Sequence, residues 1–237
     1  MAKLKGRLFL LPTPIHENGL ESISSEVIRI LHGLDYFIVE RARTARRYLS
    51  ATKPVKAIDD LTIEEIPEAV QTQKEIEILL QPALEGHDIG LMSEAGLPAI
   101  ADPGNLYVSS AHRLGIKVVP LSGPSSIMMA LMGSGMEGQR FSFHGYLSAK
   151  KEELNSQLRE LEKRADRDDS TQIWIETPYR NGQILQAAEK LLDPNRNFCI
   201  AAGLGSEEGF VITKKIGEWK KSGWPEIHKV PAVFLIR

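Results

Sequence analysis

The residues best placed to do chemistry stand beside prolines. Thr13-Pro14 follows the apolar run Leu8–Leu11, Gly123-Pro124-Ser125 follows Val118–Leu121, Thr177-Pro178 follows Ile173–Glu176, and Asp102-Pro103-Gly104 opens the segment that runs to Leu114. Proline suits the first turn of a helix, and a Thr or Asp before it accepts hydrogen bonds from backbone N–H groups that the helix leaves unpaired. Taken singly, each junction is an ordinary cap. Their number points to a site, because ligands of open α/β sheets bind just beyond the carboxyl ends of strands, where such N–H groups collect. The segment Ser93-Glu-Ala-Gly-Leu-Pro-Ala-Ile-Ala-Asp-Pro-Gly104 adds an acidic residue, a glycine and two prolines directly after a buried run. It predicts a rigid loop with exposed backbone groups, suited to holding a small ligand.

Other chemistries lack their carriers. Gly133-Ser-Gly135-Met-Glu-Gly138 has dinucleotide-loop spacing, but it follows a helical segment and leads into a strand, the reverse of the required order, and reads as a junction between two sets of elements. There is no Walker A sequence, and Ser125 lacks the second glycine of a hydrolase elbow. The histidines (His16, His32, His87, His112, His144, His228) are scattered without metal-ligand spacing, so no metal site is expected. Cys199 is the only cysteine, which excludes an intramolecular disulfide and a four-cysteine zinc site; its apolar surroundings mark a buried structural thiol.

The elements that must position these loops alternate almost from the first residue. Strands are expected near Arg7–Pro12, Tyr36–Glu40, Ile89–Ser93 and Lys117–Leu121, with a weak one near Ala57–Asp59. Amphipathic helices fall between them: Ile23–Leu34, Ile66–Leu84 with a break at Pro82, and one beginning near Pro124. This is the pattern of a mostly parallel α/β sheet. From Arg140-Phe-Ser-Phe-His-Gly145 onward a strand, a very polar helix at Lys150–Arg164, a strand at Gln172–Glu176 and a helix at Asn181–Leu192 lead into three strand-like runs. Those runs, Phe198–Leu204, Phe210–Ile216 and Val230–Ile236, lie too close together for helical crossovers and imply a mixed sheet.

The chain of 237 residues is 42% hydrophobic and 25% charged, values of a folded globular protein. The length allows one large or two small domains. The net charge of −2 leaves no global positive field for nucleic acid or an anionic membrane, so any such contact rests on a local patch. Arg41, Arg43, Arg46, Arg47, Lys53 and Lys56 form one, which reads either as a phosphate-binding surface or as a solvated helix face. The apolar run after Lys3, Lys5 and Arg7 is stopped by Pro12-Thr13-Pro14, short of a signal-peptide core, and no apolar run reaches membrane-span length. A soluble, cytoplasmic protein with no membrane partner is the expectation.

Leu11-Pro-Thr-Pro-Ile15, Ser93–Gly104, Leu121-Ser-Gly-Pro-Ser-Ser126, Arg140-Phe-Ser-Phe-His-Gly-Tyr146 and Ile175-Glu-Thr-Pro-Tyr-Arg180 occur in that order along nearly the whole chain. Together they resemble the ribosomal RNA small-subunit methyltransferase I family, within the tetrapyrrole-methylase superfamily of S-adenosylmethionine enzymes. The resemblance implies two α/β domains, residues 1–122 with a mostly parallel sheet and 123–237 with a mixed sheet, a cofactor cleft between them, and a homodimer. Residue by residue it implies that Pro14, Glu94, Gly96, Leu97, Ser125, Ser126, Thr177, Pro178 and Pro231 bind S-adenosylmethionine. Departures fall on the substrate side: His16 replaces the family's glycine, Glu40-Arg-Ala-Arg43 stands for Glu-Asp-Thr-Arg, Glu94 for aspartate, and Ala201–Ser206 for a more polar run.

The expected activity is methyl transfer to RNA, at a ribose 2′-hydroxyl of small-subunit ribosomal RNA, with Arg41 and Arg43 binding the substrate. Alignment supplies most of the catalysis, and Glu40 or Glu94 are the candidates for a base. Two alternatives stand beside it: methylation of a small-molecule or tetrapyrrole-like acceptor, and a non-catalytic cofactor-binding paralogue.

Overall fold

The computed structural model describes residues 4–67, 69 and 71–237, which form two compact units, Met1–Ser125 and Ser126–Arg237. In the first, strands β1 (Arg7–Leu11), β2 (Tyr36–Val39), β3 (Thr62–Glu65), β4 (Ile89–Met92) and β5 (Lys117–Pro120) pair in the order β3-β2-β4-β1-β5. Every pairing is parallel. Helices α1 (Ser25–His32) and α2 (Ala42–Ala51) cover one face, and α3 (Gln73–Leu79), α4 (Gln81–Leu84) and α5 (Gly104–Arg113) the other. The period of two in the strands produces this sandwich: Phe9, Leu11, Phe37 and Val39 pack under α1 and α2, while Leu8, Ile38, Ile89 and Leu91 pack under α3–α5.

In the second unit, α6 (Ser126–Ser134), β6 (Phe141–Tyr146), α7 (Lys151–Asp168), β7 (Thr171–Glu176), α8 (Asn181–Leu191), β8 (Asn197–Ala202), β9 (Phe210–Lys215), α9 (Ile216–Ser222) and β10 (Ala232–Ile236) follow in sequence. The sheet order is β6-β7-β10-β8-β9. It is mixed, with β6 parallel to β7 and the other pairings antiparallel. Trp174, Phe198 and Phe234 join α7, α8 and α9 on one face, and Ile127, Ala130 and Leu131 of α6 cover Ile173, Cys199, Val233 and Leu235 on the other. The α/β class and the parallel and mixed character of the two sheets are as the residue pattern implies.

Four details depart from it. Residues Ile58–Asp60 form a 3-10 turn and not a strand; the strand lies at Thr62–Glu65, an exposed edge whose two glutamates hide it from a hydrophobic pattern. The helix expected from Ile66 begins at Gln73, because Thr72 and Glu75 close a capping box there, and it ends at Leu79, before Pro82; residues 68 and 70 of that expected helix lie outside the described residues. Gly133 lies in the last turn of α6, which ends at Ser134, and residues 135–138 lead into β6, so this glycine-rich segment lies inside the second unit and is not a junction. Ile216, read as the end of a strand, opens α9.

Candidate active site

The order of the first sheet decides where its loops gather. Neighbouring strands β1 and β4 send their chains to opposite faces, β1 to α1 and β4 to α5, which makes their carboxyl ends a topological switch point. Three loops meet there. Thr13 and Gly96 exchange backbone hydrogen bonds of 2.9 and 3.1 Å, tying the loop after β1 to the loop after β4. A Cβ on Gly123 would lie 2.1 Å from the Cβ of Pro12, so only glycine lets the loop after β5 close on the first. A Cβ on Gly96, whose φ is +77°, would face Ile15 and the Pro124 carbonyl. Pro14, Glu94, Gly96, Leu97 and Ser125 thus belong to loops that close on one another.

The loop after β4 is held under strain. Ala99 and Ala101 have φ of 66° and 64°, values that favour glycine. The Asp102 carboxylate holds the first of them: its Oδ1 accepts the N–H of Ala99 at 3.0 Å, and also that of Gly104 at 2.7 Å. Its Oδ2 is buried without a partner, and burial raises its pKa despite those bonds. At this junction a carboxylate takes the first N–H of the helix that follows, as the proline pattern suggests. Thr13 pairs with a strand-end loop, and the Thr177 N–H is taken by Glu176.

Glu40 follows β2, and its own N–H donates to Met92 O at 3.0 Å. Its Oε2 accepts the Glu94 N–H at 2.8 Å. The half-buried carboxyl is nevertheless raised above its ordinary range, first by desolvation and then by Asp102 and Glu94, against the pull of that N–H and of Arg41. Arg41 is the N-cap residue of α2 and lies 3.5 Å from Glu65, which also accepts the Ala42 N–H. Arg43, Arg46 and Arg47 are exposed on α2, with Glu17 3.8 Å from Arg47. Lys56 pairs with Asp35. Not all of the basic stretch is therefore open to a phosphate.

In the second unit, the Lys229 N–H donates to Pro178 O at 3.1 Å, and the buried Asn181 Nδ2 donates to Ile227 O and Val230 O. The Gly203 N–H donates to Pro231 O at 3.0 Å. These bonds bring Thr177, Pro178 and Pro231 to the same end of the mixed sheet. Arg180 completes that end, 3.2 Å from the buried Glu176 carboxylate and donating to Leu147 O and Ser148 O.

Sequence reasoning missed a cavity of about 190 Å³ in the first unit, between α2 and the loops after β1 and β4. Thr44, Arg47, Tyr48 and Ala51 line it, and their spacing of three, four and seven residues was the available signal. The Tyr48 hydroxyl donates to Pro12 O at 3.2 Å. Among the described residues, no cluster of three metal-ligating side chains exists, and no helix is long and apolar enough to cross a membrane.

Residues 18–220 match the family model for tetrapyrrole (corrin/porphyrin) methylases. The chain is 32% identical over 83% of its length to ribosomal RNA small subunit methyltransferase I of Vibrio cholerae, covering 64% of that protein. The homologue of the same name in Pasteurella multocida is 31% identical, over 85% of this chain and 67% of its own. The chain thus spans about two thirds of the length of these curated relatives. The crystal structure of the methyltransferase CobJ has the same fold, with a TM-score of 0.63, 16% identity, and coverage of 98% of this chain and 93% of that one. So has uroporphyrin-III C-methyl transferase from Thermus thermophilus complexed with S-adenyl homocysteine, with a TM-score of 0.53, 14% identity, and coverage of 98% and 97%. With its switch-point loops, its parallel sheet in one unit and mixed sheet in the other, and these likenesses, the chain belongs to the tetrapyrrole methylase family, among the members named ribosomal RNA small subunit methyltransferase I.

Proposed function

We propose that this chain is an S-adenosylmethionine-dependent methyltransferase that modifies small-subunit ribosomal RNA at a ribose 2′-hydroxyl. The observation that carries the reading is the convergence of three loops at the switch point of the parallel sheet. Those loops suit a cofactor: Gly123 lets the loop after β5 close on Pro12, Gly96 supplies the left-handed turn that ties the loop after β4 to Thr13, and the Glu94 carboxylate offers an acceptor for amino or ribose hydroxyl groups. Pro14, Glu94, Gly96, Leu97 and Ser125 of the first unit, with Ser126, Thr177, Pro178 and Pro231 of the second, are the proposed binding residues.

When bound, S-adenosylmethionine supplies an electrophilic methyl group. The protein's part is alignment, together with removal of a proton from the acceptor. Glu40 is the proposed base. Its Oε2 is fixed by the Glu94 N–H, which leaves Oε1 for the hydroxyl proton, and its raised pKa brings it nearer the value a base needs. Arg41 and Arg43, at the start of α2, are the proposed phosphate contacts. We also propose a cytoplasmic homodimer; Met132, 83% exposed on α6, supports a partner surface on the second unit.

The test is transfer of tritiated methyl groups from S-adenosylmethionine to small ribosomal subunits from cells deleted for this chain. Incorporation is expected, with loss when Arg41 and Arg43 become alanine. Failure of the pure protein to retain labelled cofactor overturns the reading.

A further inference from the structure

We infer that the cavity under α2 receives the nucleobase of the acceptor nucleotide; the inference rests on the RNA-methyltransferase reading and names its subsite. Pockets for whole ligands of drug size run to about 300–1,000 Å³. At about 190 Å³ this one has room for a single ring system, and not for a tetrapyrrole or a whole cofactor. Its walls suit a flat ring: Pro14, Ile15 and Leu20 come from the loop after β1, with Ala45 and Tyr48 from α2. Tyr48 is buried and anchored by its hydroxyl to Pro12 O, so that wall is rigid. Stacking a splayed-out base between such walls is how proteins read unpaired RNA.

Two polar side chains of the lining can read the edge of the base. The Glu94 carboxylate, proposed above to hold the cofactor, has acceptor sites on two oxygens and can also accept from a ring or exocyclic N–H group. His16 Nδ1 accepts the Asn18 N–H at 3.3 Å, which leaves the hydrogen on Nε2 as a donor. One acceptor and one donor complement the mixed edge of a base. His16 is also the departure from the family's glycine, so the donor is a property of this chain.

The same helix carries the charges that an attached nucleic acid needs. Arg47 lines the cavity, and Arg43 sits one turn before it. Among the described residues, Arg43 and Arg46 have no ion-pair partner, so both are available to the phosphates flanking the inserted base.

The experiment compares Ala51→Phe, which fills the cavity from an exposed helix position, with Ser50→Phe on the neighbouring residue, which does not line it. Three quantities are read for wild type and both variants: binding of tritiated S-adenosylmethionine by equilibrium dialysis, binding of small ribosomal subunits from the deleted strain, and kcat/KM for methyl transfer to them. Loss of one base-stacking contact predicts a fall of about 10- to 100-fold in kcat/KM for Ala51→Phe, with cofactor affinity kept within about twofold and Ser50→Phe near wild type. The smaller Ala51→Leu decides the matter if Ala51→Phe does not fold, and the same pattern is expected of it. Equal kcat/KM in the two phenylalanine variants overturns the base pocket while the RNA reading stands. Loss of cofactor binding in the Ala51 variants assigns the cavity to the cofactor and also overturns it. Absence of transfer by the wild type overturns the reading beneath it.

Discussion

Gly123→Ala is the sharpest probe of the switch point, because the structure sets the size of the disturbance. The added Cβ would stand 2.1 Å from the Cβ and 2.5 Å from the Cγ of Pro12, and 3.5 Å from a Leu97 methyl. The first two contacts are to a rigid ring beside backbone, so no side chain can swing away. Carbons rest about 3.5 Å apart, so the loops must separate by roughly 1.4 Å. Overpacking of this kind costs about 1–3 kcal/mol. Pro12 immediately precedes Thr13, whose two hydrogen bonds to Gly96 tie the remaining loop, so the shift reaches the proposed cofactor contacts. A misplacement of about 1 Å costs on the order of 100-fold in rate where alignment supplies the catalysis. The assay is kcat/KM for methyl transfer beside the urea-unfolding midpoint, with Gly138→Ala as control, since nothing lies within 4 Å of a Cβ there. A destabilised Gly123→Ala protein that keeps wild-type cofactor affinity and rate would refute the placement of the site at these loops.

Three further outcomes follow from individual side chains. The Glu40 carboxyl is raised above its ordinary 4.5 and must be charged to act as base, so kcat/KM climbs with pH through that raised value. Glu40→Gln abolishes this acid limb and lowers the rate by about 10²–10⁴; a variant with an unchanged pH profile rules Glu40 out. Because the folded protein holds the Glu40 proton more tightly than the unfolded chain, the group's contribution to stability is full below 4.5 and lost as pH rises through the raised value. Asp102→Ala releases the N–H groups of Ala99 and Gly104 and costs about 1–3 kcal/mol, read from urea unfolding, with Asp102→Asn falling between; a wild-type midpoint would show that the strained loop holds itself. Burial pushes the Cys199 thiol up to about 11, so Ellman's reagent should label it only as the protein unfolds. Rapid stoichiometric labelling of the folded protein would contradict that.

Much of the architecture was legible because strand hydrophobicity and proline-marked strand ends are local signals. Leu8–Leu11, Ile89–Met92 and Ile173–Glu176 are buried strands with their loops where the prolines stand. The edge strand Thr62–Glu65 was not legible, since two of its four residues are glutamates facing solvent. The switch point was not legible, because it depends on β4 inserting between β2 and β1, a pairing of residues some 80 positions apart. Asp102 read as a cap; its hold on the left-handed Ala99 requires a backbone conformation that no residue type announces. The cavity under α2 was not legible because its walls come from three distant stretches, residues 13–20, 44–51 and 93–95, which only the fold brings together.

The account's central claim is tested most directly by the chemical identity of the methylated product. Small ribosomal subunits from the deleted strain, incubated with the pure protein and tritiated S-adenosylmethionine, would be digested to nucleosides and separated by chromatography with mass detection. The account predicts label in a single 2′-O-methylated nucleoside, reduced in parallel by Glu40→Gln and Gly123→Ala. Retention of the cofactor by the protein with no label in RNA would contradict it.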